Sequence, residues 1–331
     1  GGEPAVAEAA AGMPALAVLL LAVLLDAAAG EPRWLYRHAP HPIAAIGRAV
    51  AWAERRLLRP GMPEAHLRWR GIALLLGVAG GAALLGWAVD HLLRRLPGGW
   101  LLEAALMSTL LAQRSLIEHV AAVADALDRS LADGRRAVAL IVGRDPERLD
   151  EAGVGRAAVE SLAENLSDGV VAPLFWGVVG GLPGMLAYKA VNTLDSMVGH
   201  RSERYRAFGW ASARFDDLVN LVPARLTGAL LCLAGAPERA PLESCRVMLR
   251  DAKHHRSPNA GWPEAAMAAA LGLRLAGPRV YGGVAVADAW MGDGRADVTP
   301  ADIRRGLRLA WRAWWLAVAA LAPTLVVALI G

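Results

Sequence analysis

The feature that most constrains this chain is its long apolar segments. Ile72–Val89 and Ala313–Ile330 each run for 18 residues without a charged side chain. Another segment, Met13–Leu25, continues towards Gly30 with a single interruption at Asp26. A transmembrane helix needs about 17–25 consecutive apolar residues. Together with a mean hydropathy of +0.34, these segments predict an all-α, polytopic helical membrane protein with roughly four to six spans.

The first apolar segment is followed by small residues that would suit the cleavage site of a signal peptide. The residues before it contain Glu3 and Glu8 but no Lys or Arg, whereas arginines are frequent between Arg33 and Arg70. Because cytoplasmic loops carry the positive charges of a membrane protein, we expect a retained helix with its C-terminal end in the cytoplasm. Residues 1–12 are interpreted as a flexible extension or as residues introduced by cloning.

Charge and cysteine content exclude several other classes of protein. The net charge of +4 needs no nucleic-acid partner, because basic cytoplasmic loops of a membrane protein account for it. The two cysteines, Cys232 and Cys245, form neither a metal-binding pattern nor a disulfide framework. The sequence also contains no phosphate-binding loop of the GxxxxGK[ST] type and no dinucleotide-binding GxGxxG fingerprint placed after a strand.

The polar and apolar segments alternate in a way that predicts one integral-membrane catalytic domain. Residues 31–71 and 236–306 are expected to lie largely outside the membrane as cytoplasmic helices and loops, and 101–131 to form one long helix. The apolar segment 169–191 is interrupted by Gly-Gly-Leu-Pro-Gly at 180–184. We expect a re-entrant or broken hairpin here, which would keep the polar motifs on both sides of it at one membrane face; a full crossing is the alternative.

The first polar motif, VESLAENLSD at 159–168, places acids at the mouth of this segment. Glu160 and Glu164 are four residues apart and share a helical face, which Asp168 continues. A solvated acidic face with Arg156 paired to Glu160 is the simplest interpretation. Mg²⁺ bound by these carboxylates is the functional one, since ionisable groups at a membrane are costly, and Asn165 would add an amide ligand or orient substrate.

The second polar motif, NTLDSMVGHRSERYR, follows the hairpin. Asn192 and Asp195 share a helical face, and Gly199 is expected to end that helix. Arg201 and Arg204 come next, and a guanidinium cluster is suited to binding phosphate. A basic loop flanking the membrane is the alternative interpretation.

Two further motifs repeat the combination of acid and amide. In ARFDDLVNLVPARLTG, Asp217 lies at the start of an apolar run that contains Arg225. An acidic helix N-terminus is the simpler explanation of that aspartate. In RDAKHHRSPNAGWPE, polar residues crowd one loop before a helix, which favours an anion site over zinc, with helix capping as the alternative. The candidates in this loop are Lys253, His255, Ser257 and Asn259.

Several long blocks resemble one family, the CobD/CbiB proteins. They are ESLAENLSDGVVAPLF, AYKAVNTLDSMVGHRSERYRAFGWASARFDDLVNLVPARLT and HRSPNAGWPEAAMAAALGLRLAGP. The blocks LDAAAGEPRWL, QRSLIEH and GRDPERLDE fit as well, so the resemblance extends from Met13 to about Gly283. Glu31 departs from it, because an aspartate often precedes that proline in the family.

The resemblance implies an enzyme of cobalamin biosynthesis, an adenosylcobinamide-phosphate synthase. Such a ligase joins an amino alcohol, commonly (R)-1-amino-2-propanol O-phosphate, to the free propionate of adenosylcobyric acid, with ATP and Mg²⁺ as cofactors. The expected location is the inner membrane, with several spans and a cytoplasmic active site. The expected partners are the corrinoid substrate, the amino alcohol phosphate, the lipid bilayer and other membrane enzymes of the corrinoid pathway, without nucleic acid.

With this reaction in view, roles are assigned to the polar motifs as hypotheses. The expected Mg²⁺ ligands are Glu160, Glu164, Asp168 and Asp195. The expected catalytic groups are Glu160, Glu164, Asp195 and His255, where His255 or a carboxylate takes the proton of the attacking amine. The side chains expected to bind substrate or phosphate are Asn165, Asn192, Arg201, Arg204, Asp217, Arg225, Lys253, Ser257 and Asn259.

Two other functions remain open from the residues alone. A Mg²⁺-dependent intramembrane prenyl- or alcohol-phosphate transferase would also use Asn and Asp at helix ends, but it normally shows aspartates in a D-x-x-x-D spacing that Asp195, Asp216 and Asp217 lack. A transporter would also carry a broken apolar segment, but its ionisable residues should lie near the middle of the membrane.

Overall fold

The computed structural model describes residues 14–30, 41–59, 61–143, 146–200, 202–281, 284–286 and 288–330. It is 76% helical, which confirms the all-α prediction, with the addition of four short strands within these residues. In chain order the helices are α1 (Ala15–Ala29), α2 (Pro42–Leu57), α3 (Glu64–Leu93), α4 (Gly99–Ser108), α5 (Gln113–Arg129), α6 (Leu131–Val138), α7 (Glu151–Leu166), α8 (Ala172–Val198), α9 (Trp210–Val219), α10 (Leu221–Ala234), α11 (Pro241–Asp251), α12 (Gly261–Leu271) and α13 (Pro300–Ile330).

The strands pair as two separate antiparallel ribbons. In the first ribbon Leu275 lies opposite Met291 and Ala276 opposite Trp290. A π-helical segment and a 3₁₀ turn complete the regular structure. The strands and these two segments are β1 (Leu275–Ala276), β2 (Arg279–Tyr281), β3 (Val284–Val286), β4 (Trp290–Met291), the π-helix Ser167–Val171 and the 3₁₀ turn Ala252–His254.

The chain divides into two compact units, and the prediction of one catalytic domain remains a prediction. The first unit comprises Gly1–Ala112, Ala172–Val219 and Leu321–Gly331, and the second comprises Gln113–Val171 and Asn220–Ala320. Each unit contains helices from distant parts of the sequence. The polar residues that the sequence analysis selects as site candidates are distributed between both units.

Local capping explains where two helices of the second unit begin. The side chain of Asp150 accepts a hydrogen bond from the N–H of Gly153 at 2.7 Å, which satisfies one exposed donor in the first turn of α7. At the start of α13, Asp302 accepts from the N–H of Thr299 at 2.8 Å, and Pro300 takes the first helical position. Both arrangements are readable from sequence, since they depend on residues three positions apart.

In the first unit, α3 packs against α2, α8 and α9. Gly86 of α3 allows a close approach, because a Cβ there would come within 2.7 Å of the Cα of Pro183. The shared core is apolar and includes the large side chains of Leu74, Tyr188, Leu194 and Phe208.

Helix α8 is interrupted at the glycines, as the sequence predicts. Gly180 and Gly181 leave helical geometry, and Gly181 has a φ of +57°, a conformation that glycine adopts without steric cost. The chain folds back there, since a Cβ on Gly177 would come within 3.1 Å of the sulfur of Met185. The break is thereby confirmed, whereas the membrane face on which the flanking motifs lie remains a prediction.

In the second unit, α12 lies at the centre and packs against α7, α10 and α11. Ten of its eleven residues are buried, and many of them are alanine, so neighbouring backbones approach closely. Gly228 of α10 and Gly235, which directly follows α10, face it, and a Cβ on Gly235 would come within 2.7 Å of the Cβ of Ala270. This alanine-rich packing places the polar loop before α12 firmly against the core.

One structural expectation needs correction. Residues 101–131 form α4 and α5 instead of one helix, and the Ser108 and Thr109 hydroxyls at the break bond to carbonyls three residues earlier, competing with helical hydrogen bonding. Among the described residues, Glu64–Leu93 and the stretch Glu151–Val198 are long and apolar enough to span a membrane, and the bent pair α9 and α10 would make a third if it is one span. The expected four to six spans stay a prediction.

Candidate active site

A hydrogen bond between distant blocks defines the centre of the candidate site in the second unit. Oε1 of Glu160, on α7, accepts from the backbone N–H of Ala276, on β1, at 2.9 Å. The Glu160 side chain is only 7% exposed, so its carboxylate is committed to the interior of this unit. A buried carboxylate must be hydrogen-bonded, and the ribbon supplies a donor.

Ala276 has an unusual backbone conformation. Its φ is +58°, the only positive value at a non-glycine residue in the described part of the chain. This left-handed region costs an ordinary L-residue roughly 1–2 kcal/mol. Gly277 follows with a φ of +77°, and a Cβ there would meet the ring of Trp290 at 2.6 Å. The ribbon therefore turns sharply at the residue that Glu160 binds, and such local strain is frequent at functional sites.

The partner strand is held by a second buried carboxylate. Oδ2 of Asp251, at the end of α11, accepts from the N–H of Gly292 at 2.8 Å, and Arg250 donates to both carboxylate oxygens at 2.6 and 2.7 Å. Burial raises the pKa of Asp251, but the hydrogen bonds from Arg250 and Gly292 outweigh it and hold the pKa below its ordinary value. Asp251 is thus ionised and fixes the end of β4.

The loop between α11 and α12 places the His255 ring between the backbone N–H of Ser257 and the carboxylate of Glu264. Its Nδ1 accepts from the N–H of Ser257 at 3.0 Å, so the neutral ring is inferred to carry its proton on Nε2. Nε2 lies 3.7 Å from Oε1 of Glu264, which is 4% exposed. A general-base role would require the ring to release Ser257 first.

Ser257, the next polar residue of the loop, orders the backbone just before α12. Oγ of Ser257 accepts from the N–H groups of Asn259 and Ala260, each at 3.2 Å. Asn259 itself is buried, whereas Lys253 is exposed on the preceding 3₁₀ turn. Ser257 therefore binds loop N–H groups and does not cap α12, so the capping interpretation is wrong, and the substrate-binding roles of these three residues remain predictions.

A cavity of about 140 Å³ opens beside the ribbon in the second unit. The loop before α12 forms one side of it and the two strands, with the residues just before β4, form the other. Its lining residues are His254, His255, Arg256, Ala276, Asp288, Ala289 and Met291. The carboxylates of Glu160 and Asp251 anchor two sides of this cavity. Glu160 holds β1 through Ala276, and Asp251 holds β4 through Gly292, which follows Met291.

The acids of the first motif lie in different environments although they share a helical face. Glu160 is buried, Glu164 is exposed, and Asp168 lies in the π-helix that follows α7. Asn165 donates through Nδ2 to the carbonyl of Ser161 at 2.9 Å, so its amide nitrogen is used within α7. π-Helical segments are rare in proteins, and those that occur often lie at functional sites. The junction after α7 is therefore a candidate position for ligand binding.

Arg225 lies on α10 of the second unit. Its guanidinium stacks on the ring of Trp262 at 4.4 Å from the centroid and donates to the carbonyl of Leu221 at 2.7 Å. Arginine can stack and still present remaining donors to an anion. The proposed phosphate contact of Arg225 is compatible with this position and stays a prediction.

In the first unit, two acidic motifs meet. The carboxylates of Asp195, on α8, and Asp217, on α9, are close enough to interact electrostatically, and His200 offsets part of this repulsion. Asn192 lies one helical turn before Asp195, and α8 ends at Val198, as expected from Gly199. The sequence motifs NTLD and FDD are therefore neighbours in space.

The arginines after α8 contact acids on α2 and α3. Arg204 donates to Oε1 of Glu54 at 2.8 Å, and the Tyr205 hydroxyl donates to the same oxygen at 2.8 Å. Arg206 pairs with Glu64 at 2.6 Å. Arg201, also expected to bind phosphate, lies outside the described residues. Arg204 is exposed and would have to share its guanidinium with Glu54 to bind a phosphate.

The four carboxylates expected to bind Mg²⁺ are divided between the units. Glu160, Glu164 and Asp168 belong to the second unit and Asp195 to the first. Among the residues that the structure describes, there is no group of three or more His, Cys, Asp or Glu side chains arranged to hold a metal. Mg²⁺ commonly uses one or two carboxylates with water and phosphate oxygens, so the repelling pair Asp195 and Asp217 has suitable donor chemistry.

Sequence reasoning missed several residues of the second unit. Ala276, Arg256 and Asp288 line the cavity, and Glu264 faces His255. Glu264 directly follows Trp-Pro, a pattern that by itself indicates only the start of a helix. No sequence signal marks Ala276, because its importance lies in its backbone conformation.

The fold and these polar sites together indicate a general class of protein. It is a helical protein whose apolar helices indicate a membrane location and whose carboxylate, amide and basic side chains are gathered at sites in both units. The chain matches the description "CobD/Cbib protein" over residues 19–310, and it belongs to that family.

Relatives in this family are cobalamin biosynthesis proteins. The cobalamin biosynthesis protein CobD of Sinorhizobium sp is 50% identical over 309 residues, which cover 90% of this chain and 94% of the relative. The protein of the same name from Rhodobacter capsulatus is 51% identical over 301 residues, covering 90% and 93%, and that of Brucella suis biovar 1 is 48% identical over 302 residues, covering 89% and 92%. No solved structure matches the chain.

Proposed function

We propose that this chain catalyses the ATP-dependent ligation of an amino alcohol to the free propionate carboxylate of adenosylcobyric acid. The amino alcohol is (R)-1-amino-2-propanol O-phosphate, and the product is adenosylcobinamide phosphate. The active site is proposed to face the cytoplasm at the inner membrane. Membership of a family of cobalamin biosynthesis proteins supports the pathway, and the site chemistry supports the type of reaction.

The observation that carries the proposal is the hydrogen bond from Ala276 to Glu160. It joins two blocks that resemble the family, ESLAEN and LRLAG, which are far apart in sequence. Ala276 also lines the cavity with His255, which lies at the start of the same block, HRSPNAGWPEAAMAAALGLRLAGP. Two blocks of the second unit thus contribute to one polar site, as expected of a binding or catalytic centre.

The chemistry requires an activated carboxylate. A carboxylate is a poor electrophile, so its oxygen is expected to take the γ-phosphoryl group of ATP, giving an acyl phosphate and ADP. The amine nitrogen then forms a bond to the acyl carbon, the bond to phosphate breaks, and the amine loses a proton. Mg²⁺, when bound, would neutralise charge on the transferring phosphoryl group.

The chain's own residues would bind charge and accept the proton. Asp195 and Asp217 are the carboxylates proposed to hold Mg²⁺ in the first unit, because a divalent cation would relieve their repulsion. In the second unit, His255 accepts the amine proton if Ser257 releases Nδ1, and a carboxylate is the other candidate acceptor. Arginine side chains would bind the phosphates.

The test is reconstitution with the full-length chain purified in detergent. With adenosylcobyric acid, (R)-1-amino-2-propanol O-phosphate, ATP and Mg²⁺, mass spectrometry should detect adenosylcobinamide phosphate and one ADP for each product. Omitting any one component should abolish the product. Product formed without nucleotide, or no product in the complete mixture from folded protein, would reject the proposed reaction.

A further inference from the structure

The cavity beside the ribbon has basic groups on one side and an acid on the other. His254 and Arg256 belong to the loop before α12, and Asp288 precedes β4. A guanidinium nitrogen of Arg256 lies 3.1 Å from Oδ1 of Asp288, so the two opposite charges meet at the cavity. Such a pair can accept a ligand that carries both charges. Arg256 would exchange the carboxylate of Asp288 for the anionic group of the ligand, and Asp288 would exchange the guanidinium of Arg256 for the cationic group.

The walls of this cavity are held in place from the interior. Ala276 is fixed by the buried carboxylate of Glu160, and the strand that contains Met291 is fixed by Asp251 through Gly292. Both anchoring carboxylates are at least nine-tenths buried. Side chains in a binding site discriminate best when their supporting structure is rigid, and these anchors provide that support.

The size of the cavity limits what it can hold. Its volume of about 140 Å³ lies well below the range of roughly 300–1,000 Å³ that is usual for pockets binding drug-sized molecules. A nucleotide or a corrinoid ring would not fit inside it. A small molecule with an anionic end and a cationic end fits both the volume and the charge pattern.

We propose that this cavity binds the amino alcohol phosphate, with its phosphate at Arg256 and His254 and its ammonium group at Asp288. The proposal rests on the proposed function for the identity of the ligand, whereas the charge pattern and the volume come from the cavity itself. Arginine is suited to phosphate because its planar guanidinium donates two parallel hydrogen bonds. Neither Arg256 nor Asp288 is among the residues that sequence motifs pointed to.

The proposal is tested by direct binding to the full-length protein in detergent, without ATP or corrinoid. Calorimetric titrations use 1-amino-2-propanol O-phosphate, the unphosphorylated amino alcohol and inorganic phosphate. Their dissociation constants give the separate contributions of the phosphate and the ammonium group to binding. The intact zwitterion should bind at least tenfold more tightly than either part. Arg256→Gln should weaken its binding at least tenfold and remove the preference for the phosphorylated ligand, and Asp288→Asn should remove the contribution of the amine.

Arg246→Gln is the matched control, because Arg246 is exposed on α11 and does not line the cavity. It should bind the zwitterion as the wild type does, and thermal unfolding of all variants checks that they are folded. Unchanged affinity in folded Arg256→Gln and Asp288→Asn proteins would overturn the assignment of the cavity. Equal affinity for the zwitterion and inorganic phosphate would overturn the role of Asp288.

Turnover assays separate failure of this site from failure of the proposed function. If both variants ligate the amino alcohol phosphate with wild-type KM, the reaction stands and the cavity assignment is wrong. If the zwitterion binds with the expected loss in the variants but the complete mixture yields no product, the cavity assignment stands and the proposed reaction is wrong.

Discussion

The backbone N–H of Ala276 and the carboxylate of Glu160 form a hydrogen bond of 2.9 Å across 116 positions of the chain. The bond ties an acidic helix to a strand whose conformation is otherwise unfavourable for alanine. It also gives Glu160 a specific task in the interior of the second unit. One oxygen of this carboxylate is therefore engaged by the backbone.

Replacing Glu160 should separate an anchoring role from a charge-dependent one. Glu160→Gln keeps a side-chain oxygen that can accept from Ala276, so its free energy of unfolding should fall by less than about 1 kcal/mol. Glu160→Ala leaves a buried N–H without its acceptor and should cost about 1–3 kcal/mol. Combining Glu160→Ala with Ala276→Gly should recover about 1 kcal/mol, because glycine adopts a positive φ without strain. Chemical denaturation in detergent measures all three.

Glu118→Ala serves as the control for removing a carboxylate from a helix. Glu118 is half-exposed and pairs with Arg114 on the same helix at 2.6 Å, an interaction worth about 0.3–0.5 kcal/mol. If Glu160→Gln destabilises as much as Glu160→Ala, the negative charge matters more than the acceptor, and a charge-dependent role for Glu160 gains support over the anchoring one.

Asp251 should make the stability of the protein depend on acidic pH. Its folded-state pKa lies below the ordinary value of 3.8, because hydrogen bonds from Arg250 and Gly292 together outweigh the effect of burial. The resulting stabilisation is fully present above that ordinary value and is lost as the pH falls through the folded-state pKa. Thermal unfolding from about pH 5 downwards should therefore show a decline that is shallower in Asp251→Asn.

The same substitution should also lower stability at neutral pH, since a charged hydrogen-bond acceptor contributes about 1.5–3 kcal/mol. Asp297→Asn, at an exposed position, is the control and should leave both the neutral stability and the acid decline unchanged. Parallel acid profiles for wild type and Asp251→Asn would show that other carboxylates dominate, of which Asp302 is the first candidate because its pKa is also lowered.

The two glycines at the break in α8 should respond differently to alanine. Gly181 has a φ of +57°, so Gly181→Ala should lower the free energy of unfolding by about 1–2 kcal/mol. Gly180 has a φ of −137°, and a Cβ added there would have no neighbouring atom within 4 Å, so Gly180→Ala should be tolerated. Chemical denaturation in the same detergent measures the free energy of unfolding of both variants. Equal values would show that the break does not depend on the left-handed conformation of Gly181.

The acidic pair of the first unit predicts a response to Mg²⁺. Wild-type protein should be stabilised against heat by Mg²⁺, because a divalent cation relieves the repulsion between Asp195 and Asp217. Asp195→Asn and Asp217→Asn should each raise the half-saturating Mg²⁺ concentration at least tenfold, or about 1.4 kcal/mol. Glu203→Gln, at a nearby exposed residue, should not change it. A half-saturating concentration shared by all four proteins would exclude this pair as the metal site.

The helical class, the apolar helices, the break at Gly180–Gly181 and the likeness of the polar motifs to one family could all be predicted from the amino-acid sequence. These features depend on local periodicity, on glycine and proline, and on side chains a few residues apart, so they can be recognised without the fold. The caps at Asp150 and Thr299 are of the same local kind.

Which polar residues meet could be learned only from the folded chain. The contact of Glu160 with Ala276, the approach of Asp195 to Asp217 and the cavity at Arg256 and Asp288 each join segments that are distant in sequence. Glu160 and Glu164 occupy one helical face, yet one is buried and the other exposed, because burial is set by the ribbon and helices packed around them. Helical spacing is a property of the local backbone, whereas the environment of a carboxylate depends on the elements that fold against it.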